Sequence, residues 1–168
     1  MDLENLTAQM EKTAQAIRAL AEDIPDDQAR WNPEPDVWSI LDVINHLAYE
    51  ETHDFRDRLD LVLHRPQEGW PRMNPTRGVT DRSRQRELGR ALEMFVARRE
   101  KSLAWLKTLE APNWDAAHEA PFGQIKAGDV LAAWAAHDLL HLRQLIELRY
   151  QLLARQAEPY GLRYAGRW

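Results

Sequence analysis

Four stretches of this chain repeat their apolar residues at intervals of three and four, and no stretch alternates apolar with polar over a useful length. A helix with one such stripe cannot bury it alone. The expected fold is therefore all-α, a four-helix bundle, and the 168 residues suit a single domain spanning 1–168. The first helix is expected from about Leu3 to Glu22, with Leu3, Leu6, Met10, Ile17 and Leu20 in its stripe and Pro25 ending the segment. "PDDQARWNPEPDVWS" then reads as an irregular connection whose Trp31 and Trp38 can pack over a bundle end. Ser39 and Asp42, spaced as a capping box, open a second helix from about Ile40 to His64. A third is expected from Asp81 to Leu109 and a fourth from Asp129 to about Ala154. The connections are long, and "EPYGLRYAGRW" reads as a non-helical aromatic tail that packs back on the bundle or on a second subunit.

Composition removes several classes of function. The formal charge is -5 and both signs are mixed along the chain, so nucleic acid is not an expected partner. No apolar run reaches the roughly 18 residues of a membrane span, and the N-terminus has no signal-peptide pattern, which fits a cytoplasmic protein. Cysteine is absent, so disulfides, thiolate ligands and a cysteine nucleophile are excluded together. Any metal must be held by His, Asp or Glu.

Histidines supply that possibility. Val130, Trp134, His137, His141, Leu145 and Leu148 step by three or four, which places both imidazoles on the inward stripe of the fourth helix and one turn apart. Zinc-binding helices use the same spacing, with a third ligand from elsewhere. The second helix offers His46, Glu50 and His53. Seven residues of helix rise about 10 Å, too far for His46 and His53 to share one ion. His46, inside "VINHLA", is the better candidate because its surroundings are apolar, whereas His53 lies in "EETHDFRDR". His64 and His118 fall at a helix end and in a loop. The competing reading makes these histidines packed core residues. Against it, two buried imidazoles need partners for up to four ring nitrogens, and the neighbouring Leu, Ala and Trp side chains offer few acceptors.

Two segments, "VWSILDVINHLAYEE" (Val37 to Glu51) and "AAWAAHDLLHLRQLIELR" (Ala132 to Arg149), together with the closing "YGLRYAGRW", resemble the DinB-like family of metal-binding four-helix bundles. The resemblance implies a three-histidine site of His46, His137 and His141 that binds a divalent ion such as zinc or nickel, often in a homodimer. It implies no single activity, since characterised relatives include enzymes that use low-molecular-weight thiols such as mycothiol or bacillithiol. Family members often carry an acid three positions after the first histidine; here that position is Tyr49, followed by Glu50 and Glu51.

Three neutral histidines leave an ion its full charge and an open position, as in catalytic zinc. The expected function is thus a metal-dependent hydrolase or thiol S-transferase acting on a small molecule, with Glu50 as a candidate general base. The alternative is a metal-stabilised or metal-free bundle that serves as a non-catalytic binding module in a stress response. Asp138 is expected to point outward. Gln144 has the spacing either to orient a ligand histidine or to pack between helices, and Trp134 either to wall a pocket or to fill the core. The basic cluster "DRSRQRELGR" is expected to be a solvated helix face, with attraction of an anionic substrate as the rival reading.

Overall fold

The computed structural model describes residues 2–74 and 76–166. The first stripe forms α1 (Leu3–Ala21), whose end is capped by Asp2 accepting the Asn5 N–H at 2.9 Å. A short α2 (Asp26–Ala29) interrupts the connection to the next long element.

The second stripe is two helices, not the single one expected over 40–64. α3 (Ile40–His53) opens on the Ser39–Asp42 capping box, and α4 (Phe55–His64) follows a break at Asp54. Asp54 leaves helical geometry (φ -131°, ψ -92°), and its side chain pairs with Arg58 at 2.7 Å. Asp competes for local polar contacts and is a weak helix former, so the kink falls there.

The third stripe likewise divides, into α5 (Asp81–Arg84) and α6 (Leu88–Leu106). A second capping box, Thr80 with Ser83, closes the short helix on itself. The basic cluster expected to be solvated is partly spent on α3. Arg84 reaches Asp42 at 3.0 Å, the Ser83 carbonyl accepts from Asn45 at 3.0 Å, and Arg86 donates to Asn45. Asp26 then accepts the Leu88 N–H at 2.9 Å, capping α6 from a distant loop.

The third connection holds an antiparallel hairpin that the expected all-α class lacked. β1 (Ala117–Ala120) pairs with β2 (Gly123–Lys126), in a register running from Ala117 opposite Lys126 to Ala120 opposite Gly123. Four-residue strands are too short to declare a period of two. The last helix, α7 (Ala127–Gln156), begins directly after β2, where Asp129 accepts the Lys126 N–H at 3.0 Å. The tail forms one 3₁₀ turn, Arg163–Ala165. Among its described residues the two tyrosines do not pack back on the bundle, Tyr160 being 80% and Tyr164 fully exposed. The tail residues Arg167 and Trp168 lie outside the described residues.

Long helices adjacent in sequence are not all adjacent in space. α1 packs on α6 and α7, while the α3–α4 arm packs on the same two helices from the other side. The first and second long elements are therefore diagonal. Two apolar clusters fill the interior, one around Ile17, Ile44, Phe95 and Leu148 and the other around Met10, Leu59, Leu106 and Trp134. Arg99 joins them, its guanidinium 5.4 Å from the Phe95 ring and 6.0 Å from the Trp134 ring. Among the described residues, no helix is long and apolar enough to cross a membrane.

Candidate metal centre

The capping box at Ser39 sets the start of α3, and about two turns later His46 is directed inward with 1% exposure. α7 brings His137 and His141 to the same depth. The Nε2 atom of His137 lies 3.1 Å from Nε2 of His46 and 3.1 Å from Nε2 of His141. One ligand atom from each of the three residues falls within 4.8 Å of the others. Nitrogens bound to one tetrahedral zinc at 2.0–2.1 Å would stand roughly 3.3 Å apart. The observed spacing fits a single ion with little movement.

Hydrogen bonds on the far edges of the rings fix which nitrogens carry protons. His46 Nδ1 faces the Arg77 carbonyl at 2.9 Å and His141 Nδ1 faces Gln144 Oε1 at 2.8 Å. Both acceptors have only lone pairs to offer, so each Nδ1 must be the donor. That leaves bare Nε2 lone pairs on His46 and His141, both aimed at His137, whose Nε2 can donate to one of them at most. A cation at the meeting point satisfies all three, and the donor set is the one such an ion takes. Burial lowers the pKa of His46 to about 4 and of His137 to about 3, each reinforced by repulsion from neighbouring histidines, and burial also lowers His141. All three rings are neutral ligands at pH 7. Trp38 walls the group, its ring centroid 4.9 Å from that of His46 and stacked over His141 at 6.3 Å, while Phe55 lies 4.9 Å from His137.

Gly78 holds this geometry from outside. Its φ of +81° belongs to the left-handed region, and a Cβ there would collide with the Tyr49 side chain. The loop thus lies tightly on α3, and Arg77, itself at φ +48°, is set to present its carbonyl to His46.

A cavity of about 230 Å³ opens beside the histidines, with His46, His137, Glu50, Arg77, Trp70 and the exposed Phe122 in its lining. Glu50 Oε1 is 3.5 Å from His46 Nδ1. Burial raises the Glu50 pKa to about 8, helped by the charge of Asp54 and a hydrogen bond to it; burial raises Asp54 as well, against the pull of Arg58. Arg58 lies 4.8 Å over the Trp70 ring. A larger groove of about 550 Å³ between α1 and α6, near Arg18 and Glu22, contains no histidine.

Other sequence expectations resolve differently. Gln144 orients a histidine. Trp134 is core, 1% exposed, and donates Nε1–H to Glu51 at 3.1 Å. Asp138, expected outward, is 1% exposed because Arg99 meets it through two bonds of 2.5 and 2.8 Å. Arg99 also binds Glu51 and donates to the Met10 carbonyl at 3.2 Å. Burial opposes its charge, yet Asp138 and Glu51 raise its pKa. His53 stacks on Tyr49 at 4.3 Å, His64 pairs with Asp60, and His118 sits in the hairpin, so none joins the three. Sequence reasoning passed over Asp54, Arg58 and Arg77. The first two were visible as continuations of the Glu50 stripe at intervals of four; Arg77 had no periodic signal.

Comparison with known proteins follows the same outline. The YfiT protein of Bacillus subtilis, described as "a probable metal-dependent hydrolase with an unusual four-helix bundle topology", superposes with a TM-score of 0.77 over 89% of this chain and 87% of its own, at 16% identity. That likeness is one of fold. No protein of curated function matches the sequence. The model of the DinB superfamily matches residues 9–145, a span that holds all three converging histidines and most of the bundle, and the chain belongs to that superfamily.

Proposed function

We propose that this chain is a metal-dependent hydrolase of a small molecule, in which His46, His137 and His141 hold one divalent ion, zinc or nickel. The observation that carries the reading is the convergence of three Nε2 atoms with the Nδ1 edges of His46 and His141 engaged elsewhere. An ion bound there supplies Lewis acidity beside the cavity. The remaining chemistry belongs to the chain. The Arg77 carbonyl and Gln144 Oε1 hold two rings in the ligand tautomer and increase their basicity. In the metal-free protein burial raises the Glu50 pKa to about 8, and a carboxyl that tends to keep its proton fits the role of general acid better than the general base expected from sequence, with Asp54 as its proton partner. Trp70 and Phe122 narrow the approach and limit water. The description of YfiT favours hydrolysis over transfer of a low-molecular-weight thiol, which would use the same three imidazoles.

The test is elemental analysis of untagged, chelator-free protein beside His46→Ala, His137→Ala and His141→Ala, followed by ester, amide and thiol-transfer substrate panels. About one divalent ion per chain, lost in all three variants, with turnover in the hydrolytic panels, is expected. Wild-type protein that takes up no ion on loading refutes the metal site; turnover of thiols alone refutes the hydrolase assignment. Glu50→Gln is expected to retain the ion and lose about 10² to 10⁴ in kcat.

A further inference from the structure

The cavity beside the histidines has an imbalance of charge. Its two carboxyl groups are engaged within the protein: Asp54 pairs with Arg58 at 2.7 Å, and Glu50 hydrogen-bonds Asp54. Arg58 is further occupied by the Trp70 ring, 4.8 Å away. Arg77 is different. Arg77 belongs to the lining, and among the described residues the ion pairs at this cavity, His46 with Glu50 and Arg58 with Asp54, leave its guanidinium out. It is close enough to act electrostatically on His46, His137, His141, Glu50 and Asp54 alike. Arg77 is exposed, but it does not sit on a loose loop. Its own carbonyl accepts from His46, its φ is +48°, and Gly78 next to it is locked against Tyr49, so the origin of the side chain is fixed relative to the three imidazoles.

The other half of the lining is apolar. Phe122 at the hairpin tip is 67% exposed and Met73 57% exposed, and Phe122 meets Trp70 edge to face at 5.9 Å. Large apolar side chains left open at the mouth of a small cavity are what a ligand body covers. At about 230 Å³ the space lies below the roughly 300–1,000 Å³ of pockets for drug-sized molecules.

We propose that the site selects a small organic carboxylate with an aryl or alkyl body, its carboxylate held by Arg77 and its apolar part lying on Phe122, Met73 and Trp70. This assignment of substrate class rests on the metal-site reading for the reaction but not for the binding. A guanidinium fork matches a carboxylate with two parallel hydrogen bonds, a match that the point charge of lysine does not reproduce. Arg77 is a specificity-determining residue here. It recognises a group remote from the bond that reacts.

The experiment is isothermal titration of zinc-loaded protein with phenylacetate, its neutral analogue phenylacetamide, and benzyl phosphate, for wild type and for Arg77→Gln, Arg77→Lys and Phe122→Ala, each checked for zinc content. Phenylacetate is expected to bind wild type at least tenfold more tightly than the amide. Arg77→Gln should remove that preference while it leaves amide affinity within about twofold and zinc content unchanged. Arg77→Lys should recover only part of it, and Phe122→Ala should weaken both ligands together. Tighter binding of benzyl phosphate than of phenylacetate, or no measurable binding of phenylacetate to wild type, overturns the proposal. So does unchanged carboxylate affinity in Arg77→Gln that still carries zinc. The two readings fail separately: Arg77-dependent binding to a protein that takes up no zinc sinks the metal site alone, and zinc uptake without Arg77 dependence sinks the carboxylate alone.

Discussion

Gln144 accepts the Nδ1 proton of His141, and that one bond decides which nitrogen of the ring is free to face an ion. Gln144→Ala is expected to weaken zinc binding by about 10- to 100-fold, measured by competition with a chromophoric chelator. An unchanged affinity would return Gln144 to helix packing. Protonation provides a second check. In metal-free protein, His46 and His137 titrate near 4 and 3, while in the unfolded chain they titrate near 6.5. The unfolded state therefore binds more protons in that window, and stability falls as pH falls through it. Glu50 works in the opposite sense. Its folded pKa, raised to about 8, contributes stability that is fully present below the unfolded value of 4.5 and is lost as pH rises through 8. Metal-free Glu50→Gln should accordingly lose about 2 to 3 kcal/mol between pH 7 and 5.5, and metal-free wild type distinctly less, by guanidinium denaturation. Parallel losses would contradict the assigned shifts. The ligand histidines were legible at this scale, because inward stripe positions and helical spacing are written in the sequence. Asp138 and Arg99 were not. A charged residue on a helix reads as solvated unless its partner is known, and these two partners are 39 positions apart.

At the scale of elements, what matters is where helices start and where loops lie against them. Ser39→Ala removes one side of the capping box that opens α3 and should cost about 1 kcal/mol. That box was readable three residues apart. The loop through Gly78 was not, because its demand for glycine comes from Tyr49, a residue 29 positions earlier that pattern alone does not bring near. Gly78→Ala combines a left-handed backbone with a collision and is expected to destabilise by more than about 1 kcal/mol. Because the Arg77 carbonyl moves with it, zinc affinity should fall as well. A variant that loses stability but keeps wild-type affinity would show that the loop does not orient His46. The kink at Asp54 and the hairpin were hidden for a related reason: both are settled by contacts made after the helices have packed.

At the scale of the whole molecule, Arg99 ties four long elements together, through Met10 of α1, Glu51 of α3 and Asp138 of α7 around its own place in α6. Arg99→Met would leave two buried carboxyl groups without their cation. The expected loss is about 3 to 5 kcal/mol, read as a fall in Tm of roughly 10 °C, with partial recovery when Glu51→Gln and Asp138→Asn are added. No recovery would mean that the loss comes from packing. The four amphipathic stripes revealed the bundle, but not its diagonal order, since long connections leave neighbours open. That order bears on how the chain reaches its final state. His46 and His137 are 91 positions apart, so the unfolded chain does not hold them together, and an ion that binds them adds its binding free energy to that of folding. The diagonal arms of the first half have little to grip until α6 and α7 arrive. Capture of an ion would then act as a clasp on a finished assembly, and its occupancy would count how many chains have completed their fold.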